Sequence, residues 1–91
     1  MVLLITYNLK NPLRDYSSFH QAIKKAEIWW HHLDSTWLIE TKGTPQQWYE
    51  FLAPHLDQNF KDFIFIIEVK RNYWGFLPKE AWEWLAARDF G

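Results

Sequence analysis

The chain contains no cysteine. That absence excludes disulfides, thiolate nucleophiles and zinc–thiolate centres together, and it fits a reducing compartment. Charge of one sign is also lacking. Ten Lys and Arg stand against eleven Asp and Glu, for a net charge of −1, so no global basic field draws nucleic acid and any anion site has to be local. There is no long hydrophobic run. Met1-Val2-Leu3-Leu4-Ile5 is apolar but too short for a membrane span, and it lacks the basic start of a signal peptide. Repeats, low-complexity segments and blocks of like charge are absent as well. The expectation is a soluble, cytoplasmic protein with no membrane association.

Aromatic residues are what the chain has in abundance: 20% of 91 residues, with seven Trp and seven Phe. This length makes one domain, residues 1–91, with no room for a linker and a second core. So short a chain buries a modest fraction of its surface, and large rings rarely hide completely in it. Some rings are therefore expected at the surface, in a dimer interface or under a ligand.

The densest stretch runs from Ile28 to Ile39. Side chains on a strand alternate between faces, which puts Trp29 and Leu33 on one side of a first run and Trp30 on the other. After an Asp34-Ser35 turn, Trp37 and Ile39 oppose Leu38 in a second run. A hairpin apolar on both faces has to be covered twice, by the protein's own helices and by something else.

The remaining elements follow from periodicity and end signals. Val2–Tyr7 reads as a central strand. Asp15 can cap a helix in which Phe19, Ala22, Ile23 and Ala26 recur at helical spacing. Thr44, Pro45 and Gln47 form a capping-box start for a second helix, whose last turn Pro54 distorts. Phe63–Val69 is a continuous apolar run, read as a buried strand. Tyr73-Trp74-Gly75-Phe76 is an aromatic turn. Pro78–Arg88 is a final helix, with Trp82, Leu85 and Ala86 on its inner face and Trp84 off it. Strand, helix, strand, strand, helix, strand is the ferredoxin-like βαββαβ pattern, so the expected class is α+β with an appended C-terminal helix.

Side chains that carry chemistry are sparse. His31 and His32 are adjacent on a strand and point to opposite faces, so they do not chelate one ion easily, and no metal site is assigned. Asp15, Asp34, Glu40, Glu80 and Glu83 form no pair at a spacing that compels acid–base work, and the serines at 17, 18 and 35 have no evident base partner. No catalytic residue and no cofactor is assigned. The loop after the first strand says more. Lys10 and Arg14 precede a helix start bearing Tyr16, Ser17 and Ser18, and helix N-termini suit phosphate. The competing reading is an ordinary capped helix. Lys70-Arg71-Asn72-Tyr73-Trp74 mixes cations with rings, as in base-stacking sites, or else it is a charged sheet edge with its rings packed under the last helix.

Tyr7-Asn8 at the end of the first strand, Trp29 to Trp37 and Gly75 to Leu85 together resemble the small bacterial and phage proteins of the SinR family. More distantly they resemble the CRISPR-associated "two" proteins and the VapD-type toxin ribonucleases. The resemblance implies a ferredoxin-like protomer that dimerises through its sheet. In the CRISPR-associated relatives an Asp at the end of the first strand faces the dimer axis and holds a divalent metal for phosphodiester cleavage. Asn8 stands at that position here, and a neutral amide is a poor ligand for a hard cation.

The leading expectation is a homodimeric binding module for a phosphate-bearing ligand, a nucleotide signal or a nucleic acid. Tyr7, Asn8, Lys10 and Arg14 would line its pocket, with Ser35, Thr36 and Trp37 contributed by the hairpin. Lys10 and Arg14 would meet phosphate, Asn8 would read a polar edge, and Tyr7 or Trp37 would stack a ring. Sequestration of a nucleotide immune signal in phage–bacterium conflict fits by analogy. The alternatives are a metal-dependent ribonuclease and a purely structural dimer.

Overall fold

Val2, Leu3 and Ile5 are fully buried because their strand, β1 (Val2–Asn8), runs through the interior of a four-stranded antiparallel sheet. The computed structural model describes all residues, Met1–Gly91. The sheet order is β2-β3-β1-β4, with β2 at Trp29–Leu33, β3 at Thr36–Glu40 and β4 at Phe63–Val69. Helix α1 (Ser17–Ile23), prolonged by a 3-10 turn at Lys24–Ala26, carries the chain from β1 to β2 past the place β3 will take. Helix α2 (Pro45–Leu52) carries it from β3 across β1 to β4. This is the ferredoxin-like arrangement, and a third helix, α3 (Lys79–Ala86), is appended.

Local chemistry sets the helix ends. Thr44 Oγ1 accepts from the Gln47 N–H at 3.2 Å and Gln47 Oε1 accepts from the Thr44 N–H at 2.9 Å, a complete capping box with Pro45 in the first helical position. The α-helix ends at Leu52 and passes into a 3-10 turn at Ala53–His55, because Pro54 has no N–H to continue the ladder. Asp15 acts one residue outside the expected cap. The capping position is Tyr16, whose side chain makes no capping bond, while Asp15 Oδ1 accepts from the Ser17 N–H at 2.9 Å.

Each sheet face has its own core. On the first face, Leu3 and Ile5 of β1 and Trp37 and Ile39 of β3 pack under Phe19, Ala22 and Ile23 of α1 and Leu52 of α2. On the second, Val2, Trp30 and Leu38 meet Ala81 and Leu85 of α3 and Phe90 beyond it. Arg71 locks α3 in place by donating to the carbonyls of Leu85 and Arg88 at its C-terminal end, while its guanidinium lies 4.4 Å from the Phe90 ring centroid.

Four expectations need correction. The second face of the hairpin is covered by the protein's own α3: Trp30 and Leu38 belong to the α3 core, so this hairpin does not require a second copy. Leu33 shares Trp30's side rather than Trp29's. A register shift between Trp30 and Leu33 breaks the alternation, and Leu33 lines an apolar cleft of about 150 Å³ with Leu4, Trp30 and Leu38. Strand β4 has the expected bounds but is an edge strand, not a buried one. Its Ile64 and Ile66 are half-buried on the α1/α2 side, while Phe63, Phe65 and Ile67 face solvent on the other. On α3, Ala86 is exposed, and Trp84 packs against the same core as Trp82. Beyond β4 the chain forms a strap without regular structure, in which Tyr73 stacks on Trp82 while Trp74 and Phe76 are 97% and 100% exposed.

Candidate functional site

The residues expected to share one pocket fall into three neighbouring groups. The first is the clamp below β1. Asp62 Oδ1 accepts from the Lys10 N–H at 2.7 Å, and Asp62 Oδ2 accepts from Tyr16 Oη and from the Asp57 N–H, each at 2.7 Å. Asp57 in turn accepts from Asn11 Nδ2 at 2.9 Å and from the Asn59 and Phe60 amides. Arg14 is bound inside this clamp, donating to the His55 carbonyl at 3.2 Å and lying 3.8 Å from Asp57 Oδ2. The Asn11 side chain, the amides and Arg14 hold Asp57 below its ordinary value against the effect of desolvation. Desolvation works to raise Asp62, but the Lys10 and Asp57 amides and the Tyr16 hydroxyl outweigh it and bring it down as well. The loop after β1 is thus tied to the loop before β4 by two saturated carboxylates. Its arginine is neutralised within the chain, and the Ser17 amide is already taken by Asp15.

The second group lies on the open half of the second sheet face. Asn8 is the register partner of Phe63, and Thr6 of Phe65. Phe63 and Phe65 are same-face neighbours on β4, 61% and 60% exposed, because α3 packs over Val2, Trp30 and Leu38 and leaves the Thr6–Asn8 end of β1 and its partners on β4 uncovered. The Lys10 ammonium stands 4.6 Å from the Phe63 ring centroid and is in no ion pair. A shallow depression bounded by Thr6, Asn8, Phe63 and Phe65 lies at this end. The hairpin closes against the same strand end: Thr6 Oγ1 is 3.2 Å from Thr36 Oγ1, and the Ser35 carbonyl accepts from Thr6 Oγ1 and from the Tyr7 N–H, both at 3.2 Å.

The third group is on the opposite, helical face. Trp37 is 1% exposed, and its ring is stacked on His31 at 3.9 Å with 14° between planes, so it lies in the core rather than open to a ligand. Trp37 Nε1 donates to Tyr7 Oη at 2.9 Å, and Tyr7 Oη is 3.3 Å from His20 Nε2. An indole N–H can only donate, so the Tyr7 oxygen accepts it, and the direction of the contact with His20 follows the protonation of the imidazole. Burial raises the Tyr7 hydroxyl above its ordinary value, although the Trp37 bond opposes this. His20 is pushed down by burial, then by the neighbouring charges of His31 and Lys24.

Tyr7 and Trp37 therefore serve the helical face, Asn8, Lys10 and Thr36 serve the open face, Ser35 joins the hairpin to β1, and Arg14 serves the clamp. Sequence reasoning missed Phe63, Phe65 and His20. In β4 every position from 63 to 67 is apolar, so alternation carries no sign of which phase is exposed. Only the edge position of the strand reveals it. Lys70 and Arg71, the other cations considered, are engaged with Glu68 and with α3. Neither a protein-family model nor a curated protein matches the chain.

Proposed function

We propose that the protein is a homodimeric binding module for a phosphate-bearing ligand, taking a nucleotide or a short single-stranded nucleic acid on the open half of its second sheet face. The observation that carries this reading is the exposed pair Phe63 and Phe65 with the unpaired Lys10 ammonium 4.6 Å from the Phe63 ring. Aromatic side chains on a sheet stack bases of any sequence, and adjacent cations take the backbone phosphates. Asn8 beside Phe63 supplies an amide that both donates and accepts, suited to a base edge. A compact ligand matches the net charge of −1 better than duplex DNA, which meets broad basic surfaces.

The test is fluorescence anisotropy with a labelled oligoribonucleotide and with a labelled nucleotide. Phe63→Ala and Phe65→Ala should each weaken binding by about 1–3 kcal/mol, the usual worth of a stacked base. Lys10→Ala should flatten the salt dependence. Absence of binding by the wild-type chain, or binding indifferent to all three substitutions, overturns the reading. The dimer rests on a separate observation, the exposure of Ile67, Trp74 and Phe76 beyond the platform. It agrees with what the SinR-type resemblance implies.

A further inference from the structure

On the opposite side of the sheet from Phe63 and Phe65, at the rim where α1 meets the edge strand β2, three cationic or protonatable side chains gather, none within ion-pair distance of a carboxylate. The His20 and His31 rings are 6.4 Å apart and 28° from parallel. His31 is held by its stack on Trp37 and by a 3.1 Å contact of Nε2 with the Asp34 carbonyl. His20 is held by Tyr7 Oη. Lys24 lies one helical turn beyond His20, its ammonium 5.3 Å from the ring of Trp29, which is itself partly exposed. None of the three is in an ion pair, whereas Arg14, Lys70, Lys79 and Arg88 each have an acidic partner. We infer that His20, Lys24 and His31 form an anion site for a phosphoryl group.

The geometry and the electrostatics agree. His31 is exposed and His20 half-buried, so a ligand can reach both from solvent. The groups facing His20 are Tyr7 from β1, His31 from β2, Trp37 from β3 and Lys24 from the turn that prolongs its own helix. Tyr7 is neutral with its hydroxyl raised by burial, and Trp37 carries no charge. The charged neighbours that move His20 are thus of one sign, and they depress its proton affinity. An oxyanion placed among them removes that repulsion and accepts charge-assisted hydrogen bonds from the two imidazolium rings and the ammonium. Binding then draws in protons, because His20 is neutral in the free protein at neutral pH and charged in the complex.

The experiment is a histidine-resolved NMR titration of the full chain with inorganic pyrophosphate over a series of pH values. The His20 and His31 resonances should move together and the His20 midpoint should rise, while His32 and His55 serve as internal references. Above the histidine range affinity should fall about tenfold per pH unit for each proton taken up. His31→Gln should raise the His20 midpoint in the anion-free protein and abolish its response to pyrophosphate, and Lys24→Ala should weaken the response while the fold persists. A nucleoside triphosphate forms the second arm. An equal response assigns the site to the phosphoryl group alone, and a stronger one adds a base on Trp29; either upholds the site. Histidines that ignore pyrophosphate, or four that shift alike, overturn it. Phe63→Ala, on the other sheet face, should leave the pyrophosphate response unchanged, so this result stands or falls apart from the sheet platform.

Discussion

At the scale of single residues, His20 and the two clamp aspartates give the molecule a pH dependence of one direction in two windows. His20 titrates below the ordinary histidine value of 6.5 in the folded chain. The unfolded state therefore binds more protons in that window, and stability falls as pH drops from 6.5 through the folded value. Asp57 and Asp62 titrate below 3.8, so their contribution is complete above 3.8 and is lost as pH falls through their folded values. Urea titrations across pH should show two successive declines. His20→Gln should remove the upper one and leave the lower one in place, and an unchanged upper decline in that variant would refute the assignment. Neither window was legible in the sequence. The burial of His20 against Tyr7 and His31 arises only in the fold, and Asp57 and Asp62 gained meaning only when folding brought them to Asn11, Tyr16 and the Lys10 amide, as many as 52 positions away.

At the scale of elements, α3 decides which half of the second face is open. Leu85 is buried between α3 and the sheet beside Val2, Trp30 and Leu38. Leu85→Ala should cost about 2–5 kcal/mol, the range for a buried leucine, measured as a shift in the chemical denaturation midpoint with near-ultraviolet tryptophan signals changing first. A cost below 1 kcal/mol would mean that α3 is not anchored there. The strands and helices were largely legible: the bounds of β2 and β4, the Thr44 capping box and the Pro54 ending all follow from local chemistry, which acts over a few residues. What covers each face was not legible. An apolar residue such as Phe65 or Trp30 reads the same whether a helix lies over it or not, and the register shift that turns Leu33 around depends on pairing across the hairpin rather than on composition.

At the scale of the whole molecule, the edge strand and the strap leave Ile67, Trp74 and Phe76 as exposed apolar surface, the kind that marks interaction sites. A two-fold interface uses one patch on both copies, and Ile67 lies on the strand that carries the proposed ligand platform. Sedimentation velocity should report a dimer. Ile67→Asp should convert it to a monomer with unchanged circular dichroism, since an exposed substitution ordinarily changes stability within about 0.5 kcal/mol. A wild-type chain that sediments as a monomer removes the dimer and leaves the platform reading intact.

The placement of β4 at the border of the sheet also bears on how this protein behaves outside its native state. Phe63-Ile64-Phe65-Ile66-Ile67 is an uncharged, strongly β-forming run on a strand whose outer backbone edge has no partner strand, the composition from which fibrillar stacking grows. Charged residues stand at both ends, Lys61 and Asp62 before it and Glu68 and Lys70 after it. They break the register of any stack that would grow from this run. The run that supplies Phe63 and Phe65 to the proposed recognition surface in the folded chain is thus also the segment most exposed to misassembly in an opened one, with four flanking charges as the restraint between the two outcomes.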